Sequence, residues 1–155
     1  MSGAAVVDMD QVKECVANAR AFLKGVKRVL DCPDGDLIDV LLSPMANVVV
    51  VNSALACELF IKAIAALELG NMSMPRGHEL LNLFNSMTPQ SQRFVKDCFD
   101  SDNRKRFSEC LKEVSSAFVD WRYSHEASVS AYPLFLVELG DALDKRVVSI
   151  QKSLV

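Results

Sequence analysis

The chain of 155 residues is 50% apolar and 24% charged, which predicts one ordered domain whose core needs no disulfide or metal. Its net charge of −3 gives no general attraction to nucleic acid or to an anionic membrane, so any phosphate recognition has to be local. The five cysteines include no Cys-x-x-Cys pair, which argues against a disulfide framework and a zinc site and fits a reducing cytoplasm. We expect a single cytoplasmic domain over residues 1–155, with residues 1–7 flexible and unlike a signal peptide.

The first part of the chain predicts one long and one short helix. Apolar residues recur at spacings of three and four from Val12 to Leu30, which places them on one face of a helix that ends near Asp31. Residues 33–36 have the composition of a turn. Residues 37–42 are then expected to form a short helical turn before the next element.

A second long helix is predicted over residues 44–69, and Gly70 ends it because glycine adopts the left-handed conformation without steric cost. The stretch is apolar on almost every side, so we expect a central, buried helix. Residues 48–51 are four valines that also fit a buried strand, but no second strand-like segment exists to pair with them. We interpret the stretch as too polar for a membrane span. Its polar residues are Asn47, Asn52, Ser53, Glu58, Lys62 and Glu68.

Two further helices are predicted in the middle of the chain. A loop leads to a short helix over residues 78–87. Thr88 followed by Pro89 then indicates an N-cap and a first helical position, because proline is favoured where no backbone donor is needed. This next helix is expected to end near Phe99.

The last part of the chain completes an all-α fold. After a loop at residues 100–103, a longer helix is predicted as far as about Trp121, and Pro133 begins a final helix with an apolar stripe. The elements together predict an up-and-down helical bundle of four long helices plus short helices.

Four polar residues in the middle of the chain form the first candidate site. Glu58 and Lys62 lie four apart in the orientation that favours an ion pair, and they either form a plain salt bridge or line a site. His78 follows a glycine at a predicted helix start, where it can cap the helix, pack beneath the loop or belong to a site. Arg76 is near enough to hold an anion beside it.

A second candidate site lies at the end of the predicted long helix. Trp121, Arg122, Tyr123, His125 and Glu126 crowd an aromatic ring, a permanent cation, the other histidine and a carboxylate into six residues. At 100° per residue, His125 falls on the apolar stripe and Arg122 at its edge. Either the helix has passed the core at this point, or these side chains face a pocket between helices.

Several kinds of site are not predicted. The chain has no phosphate-binding Gly-rich loop, no Gly-x-Ser-x-Gly turn and no His-Glu-x-x-His pair. With two histidines in the whole chain and no repeated Glu-x-x-His pattern, we expect no metal site and no cofactor.

Three short segments resemble the HEPN superfamily and are similar to its small prokaryotic members. They are residues 58–64, residues 75–84 and residues 121–123, so that the resemblance covers about Ala46 to Glu126. The resemblance implies an up-and-down helical bundle, often a homodimer, that serves in toxin–antitoxin, defence or RNA-processing systems.

Catalytic members of that superfamily are metal-independent endoribonucleases in which an arginine precedes a histidine with about four to six residues between them. Here Arg76 precedes His78 with one residue between, and Arg122 precedes His125 with two. The resemblance therefore implies a noncatalytic module that binds RNA, a nucleotide or a protein partner, without a membrane. The alternatives are an endoribonuclease that uses Arg122 and His125, and a purely structural helical adaptor. The expected ligand-binding residues are Glu58, Lys62, Arg76, His78, Trp121, Arg122, Tyr123 and Glu126.

Overall fold

A computed structural model describes residues 7–31, 36–70, 75–115 and 133–155, and within these ranges the chain is all-α and contains no strand. The predicted fold class is thus confirmed, whereas the up-and-down order of four long helices stays a prediction. The helices in chain order are α1 (Met9–Leu30), α2 (Leu37–Leu42), α3 (Met45–Leu69), α4 (Leu80–Ser86), α5 (Pro89–Asp97), α6 (Ser101–Val114) and α7 (Pro133–Ser153).

Helix α3 is the central helix, as predicted, and it packs against both α1 and α7. Its side chains Phe60, Ile61 and Ile64 are fully buried, and the four valines lie within the helix. By length and composition alone this helix is long and apolar enough for a membrane span, so its polar residues do not by themselves exclude one, contrary to the prediction. Its most apolar window is 67% buried inside the protein, which is the environment of a core helix.

The helix ends follow local sequence signals. Thr88 accepts a hydrogen bond from the backbone N–H of Ser91 and caps α5, and Gly70 ends α3 with a φ of 70°, both as predicted. The predicted loop at residues 100–103 was wrong, because Asp100 is the N-cap of a helix. Its carboxylate accepts hydrogen bonds from two backbone N–H groups of the next turn, so helix α6 begins at Ser101.

Helix α4 begins two residues later than predicted, at Leu80. Gly77 has a φ of 107°, and Glu79 is extended at the N-cap position, so His78 lies in the segment before the helix and does not cap it. The start of α4 is fixed to the end of α6, because Leu80 N donates to the Ser115 carbonyl at 2.9 Å and Leu81 N to Ser115 Oγ at 2.9 Å. These two bonds anchor the first turn of α4, which directly follows the segment that contains His78.

Four phenylalanines join the second half of the fold. Phe107 of α6 lies with its ring centroid 5.2 Å from Phe84 of α4, 5.1 Å from Phe99 and 5.5 Å from Phe135 of α7. All four side chains are buried. Aromatic rings at these separations attract each other beyond the area that they bury, so this cluster fixes α4, α6 and α7 relative to one another.

Candidate functional site

Glu58, Lys62 and His78 form a connected polar group where α3 meets the segment before α4. Lys62 Nζ donates to Glu58 Oε1 at 2.6 Å. His78 Nδ1 lies 3.0 Å from Oε1 and 3.1 Å from Oε2 of the same carboxylate. One carboxylate thus contacts both a lysine one helical turn away and a histidine from another part of the chain.

The three side chains differ in burial, and the difference assigns their roles. The side chain of Glu58 is 4% exposed and that of Lys62 is 16% exposed, whereas the His78 imidazole is 56% exposed. An ionised carboxylate only accepts hydrogen bonds, so Nδ1 of His78 carries a hydrogen in this arrangement. Glu58 therefore fixes both the tautomer and the orientation of the imidazole from its buried side.

A cleft of about 370 Å³ opens beside this group. We call it the His78 cleft; it is lined by residues 75–79 together with Asn82, Leu83 and Ser86. Arg76 and His78 contribute cationic or ionisable groups to the lining, and both are exposed. Glu79 contributes a carboxylate, one oxygen of which accepts a hydrogen bond from Asn82 Nδ2 at 2.6 Å.

Half of the predicted ligand-binding residues meet at this place. Glu58, Lys62 and His78 are in direct contact, and Arg76 lines the same cleft as His78. Glu58 and Lys62 do form the predicted salt bridge, but not as a surface pair, because Glu58 is buried and also contacts His78. The other predicted residues lie outside the described residues: Trp121, Arg122, Tyr123 and Glu126, with His125 of the endoribonuclease alternative.

Cys15 of α1 lies near the buried side of the same group. Its Sγ contacts the Leu59 carbonyl oxygen at 3.3 Å, and the thiol is buried. Burial raises the pKa of the Cys15 thiol, while the nearby Lys62 ammonium acts in the opposite direction. The thiol is therefore kept protonated and acts as a small packing residue and not as a nucleophile.

Sequence reasoning missed a second buried polar group at the C-terminal end of α3. Glu68 Oε1 lies 3.3 Å from Arg146 Nη2 of α7, and it also accepts hydrogen bonds from Ser91 Oγ and from Thr88 Oγ1. Arg146 Nε in turn donates to Ser91 Oγ at 2.6 Å, and its guanidinium lies 5.3 Å from the centroid of the Phe94 ring. These contacts tie α3, α5 and α7 together.

A signal for this group was present in the last helix. Arg146 follows Leu143 by three positions and precedes Ile150 by four, so it lies on the apolar stripe that the spacing predicts to be buried. An arginine on such a stripe needs a partner, because a buried unpaired charge is costly. What the sequence did not supply was the partner, since Glu68 is 78 residues away.

No three histidine, cysteine, aspartate or glutamate side chains are grouped so as to hold a metal ion within the described ranges. Comparison of the chain with protein-family models, with curated proteins and with solved structures finds no match. The residues and their geometry are therefore the basis for a functional proposal.

Proposed function

We propose that this protein is a noncatalytic helical module that binds a phosphate group of RNA or of a nucleotide in the His78 cleft. The contact between Glu58 and His78 carries the proposal. A buried carboxylate orients an exposed imidazole at a cleft that Arg76 also lines. A side chain that is held in place before a ligand arrives loses less conformational freedom on binding, which is the usual requirement of a recognition site.

Of the three charged or ionisable side chains that the structure describes in the cleft lining, Arg76 and His78 favour an anionic ligand, whereas Glu79 opposes it. Lys62 neutralises the Glu58 carboxylate on its buried side, so Glu58 leaves little net negative charge next to the imidazole. Arg76 adds a planar guanidinium, which matches two oxygens of one phosphate. Since the whole chain has a net charge of −3, attraction to phosphate is expected at this cleft and not over the whole surface.

The arrangement favours binding over cleavage. Metal-independent RNA cleavage needs a general base, a general acid and a cation placed together at the scissile phosphate. The part of the cleft that the structure describes supplies one imidazole, and its Nδ1 is bonded to Glu58. An endoribonuclease is the second candidate, because a carboxylate that orients an imidazole is also found behind catalytic histidines.

The resemblance to the HEPN superfamily adds a setting to this proposal. It implies a prokaryotic, cytoplasmic homodimer in a toxin–antitoxin or defence system. If the folded protein binds neither RNA nor a nucleotide, two roles remain: binding of a protein partner, and a purely structural adaptor.

The proposal is tested by fluorescence anisotropy with a labelled single-stranded RNA in the presence of EDTA, followed by a gel of the same samples. The variants are Arg76→Ala and His78→Ala. Arg93→Ala is the matched control, since Arg93 is an exposed arginine of α5 that does not line the cleft. We expect intact RNA, with affinity reduced about tenfold or more in both cleft variants and unchanged in the control.

Salt dependence gives a second readout in the same experiment. Each phosphate contact of a single strand contributes about −0.7 to the slope of log K against log salt concentration, so the Arg76 contact predicts about −0.7, which Arg76→Ala should remove. RNA cleavage that His78→Ala abolishes would establish an endoribonuclease at this cleft instead, whereas cleavage that His125→Ala abolishes would establish the one that uses Arg122 and His125. Absence of binding by folded protein would leave the protein-partner and adaptor roles.

A further inference from the structure

We infer that the His78 cleft recognises a ribose as well as a phosphate, with the Glu79 carboxylate accepting hydrogen bonds from the sugar hydroxyls. This inference rests on the proposed function and names its ligand more closely. The ligand chemistry is a phosphate next to a ribose with free hydroxyls, which is present in a ribonucleoside monophosphate and at the 3′ end of an RNA chain.

The first observation that supports ribose recognition is that a carboxylate lies beside Arg76 and His78 in the lining of the cleft. The cleft lining contains Arg76 and His78, which favour an anion, and also Glu79, which repels one. An inorganic phosphate alone gains nothing from Glu79. A ligand that carries a phosphate at one end and hydroxyl donors at the other makes use of both kinds of group, because a carboxylate is an acceptor for hydroxyl hydrogens.

The second support is how Glu79 is held. It occupies the N-cap position of α4, but its side chain makes no capping hydrogen bond. Oε2 accepts a hydrogen bond from Asn82 Nδ2 at 2.6 Å instead, and both residues line the cleft. Asn82 thus limits the rotation of the carboxylate without using all of its acceptor positions, which number about four per carboxylate.

The third support is size. A cleft of about 370 Å³ is at the lower end of the range of roughly 300–1,000 Å³ that is usual for small-molecule sites. Such a volume suits one nucleotide unit and not a longer stretch of strand. The 2′-hydroxyl is also the group that distinguishes RNA from DNA at a protein site.

The test is isothermal titration calorimetry with two matched ligand pairs. One pair is uridine 5′-monophosphate and its 2′,3′-dideoxy counterpart; the other is a short RNA that ends in ribose and the same RNA ending in 2′,3′-dideoxyribose. Glu79→Ala removes the carboxylate from an exposed position, and Glu109→Ala on the exposed face of α6 is the matched control. Thermal unfolding of each variant verifies that it is folded.

We expect wild type and Glu109→Ala to favour the hydroxyl-bearing member of at least one pair by about tenfold or more. Glu79→Ala should bind both members equally, at the affinity of the deoxy ligand or slightly tighter, since a repulsive charge is gone. The pair with the larger preference identifies free nucleotide or RNA end as the source. Equal wild-type affinity within both pairs overturns this inference but leaves phosphate binding intact, whereas no binding of any ligand overturns the inference and the proposed function together.

Discussion

Nδ1 of His78 contacts both carboxylate oxygens of Glu58, at 3.0 and 3.1 Å, across 20 residues of sequence. Glu58 lies on the central helix and His78 in the segment before α4, so this contact attaches one side of the cleft to the core. The buried residue has the structural role, and the exposed residue lines the cleft. The consequences of replacing each should therefore differ.

We expect Glu58→Ala to lower the free energy of unfolding by about 3 kcal/mol, because it leaves the mostly buried Lys62 ammonium without its carboxylate. His78→Ala should cost less than about 1 kcal/mol, since the imidazole is 56% exposed. Urea denaturation at pH 7 measures both. Similar losses in the two variants would show that His78 is as much a structural residue as Glu58.

The Glu68–Arg146 pair should be the most sensitive polar contact between α3 and α7. Its two side chains are 8% and 11% exposed, and removal of one partner from a buried pair costs about 3–5 kcal/mol. We expect Glu68→Ala and Arg146→Ala each to destabilise by about 3 kcal/mol, and the double variant by clearly less than the sum. Additive losses in urea denaturation would contradict coupling between these side chains.

The sequence predicted those parts of the fold that depend on neighbouring residues, but not those that depend on tertiary contacts. Spacing of apolar residues located α1, α3 and α7, and the Thr88–Pro89 and Gly70 signals located helix ends, because each depends on neighbouring residues only. The start of α4 was misplaced because it is set by bonds to Ser115 at the end of α6. A tertiary contact of this kind has no signature within the segment itself.

Glu138 should make stability depend on pH. Burial raises the pKa of its carboxyl above the usual 4.5, and the negative charges of Asp100 and Asp141 raise it further. A raised folded-state pKa means that wild type loses stability as pH rises through that pKa. Glu138→Gln should therefore be more stable than wild type at pH 7 by a few tenths of a kcal/mol, a small value because the side chain is exposed.

The advantage of Glu138→Gln should disappear below about pH 4, where the carboxyl is protonated in both states. Urea denaturation of wild type and variant at several pH values measures this difference. Glu109→Gln serves as the control for removal of one exposed glutamate from a helix. An advantage that is the same at pH 3 and pH 7 would contradict the electrostatic explanation.

Two glycines inside helices should respond differently to alanine. A Cβ at Gly25 would meet nothing within 4 Å, so Gly25→Ala should stabilise by about 0.5–1 kcal/mol through helix propensity. A Cβ at Gly140 would lie 3.1 Å from Leu23 Cδ1, where α7 approaches α1. Because Leu23 is buried, we expect Gly140→Ala to be less stable than Gly25→Ala by about 1 kcal/mol or more in thermal unfolding.

The sequence predicted several residues of the candidate site but not the contacts between them. Glu58 and Lys62 attract attention as charges on an apolar helix, and Arg76 and His78 as polar residues near glycine. Which carboxylate meets which histidine depends on how α3 packs against the segment before α4, and spacing along the chain does not contain that information. The pairing of Glu79 with Asn82 was missed because i, i+3 polar contacts on a surface helix are common.

Amide chemical shifts test most directly whether the cleft beside His78 binds phosphate. Labelled protein is titrated with uridine 5′-monophosphate, using Arg76→Ala and the control Arg93→Ala in parallel. We expect saturable shifts at residues 76–79 and Asn82 in wild type and Arg93→Ala, and their loss in Arg76→Ala. Shifts confined to other surfaces, or no saturable shift in any of the three proteins, would contradict the account.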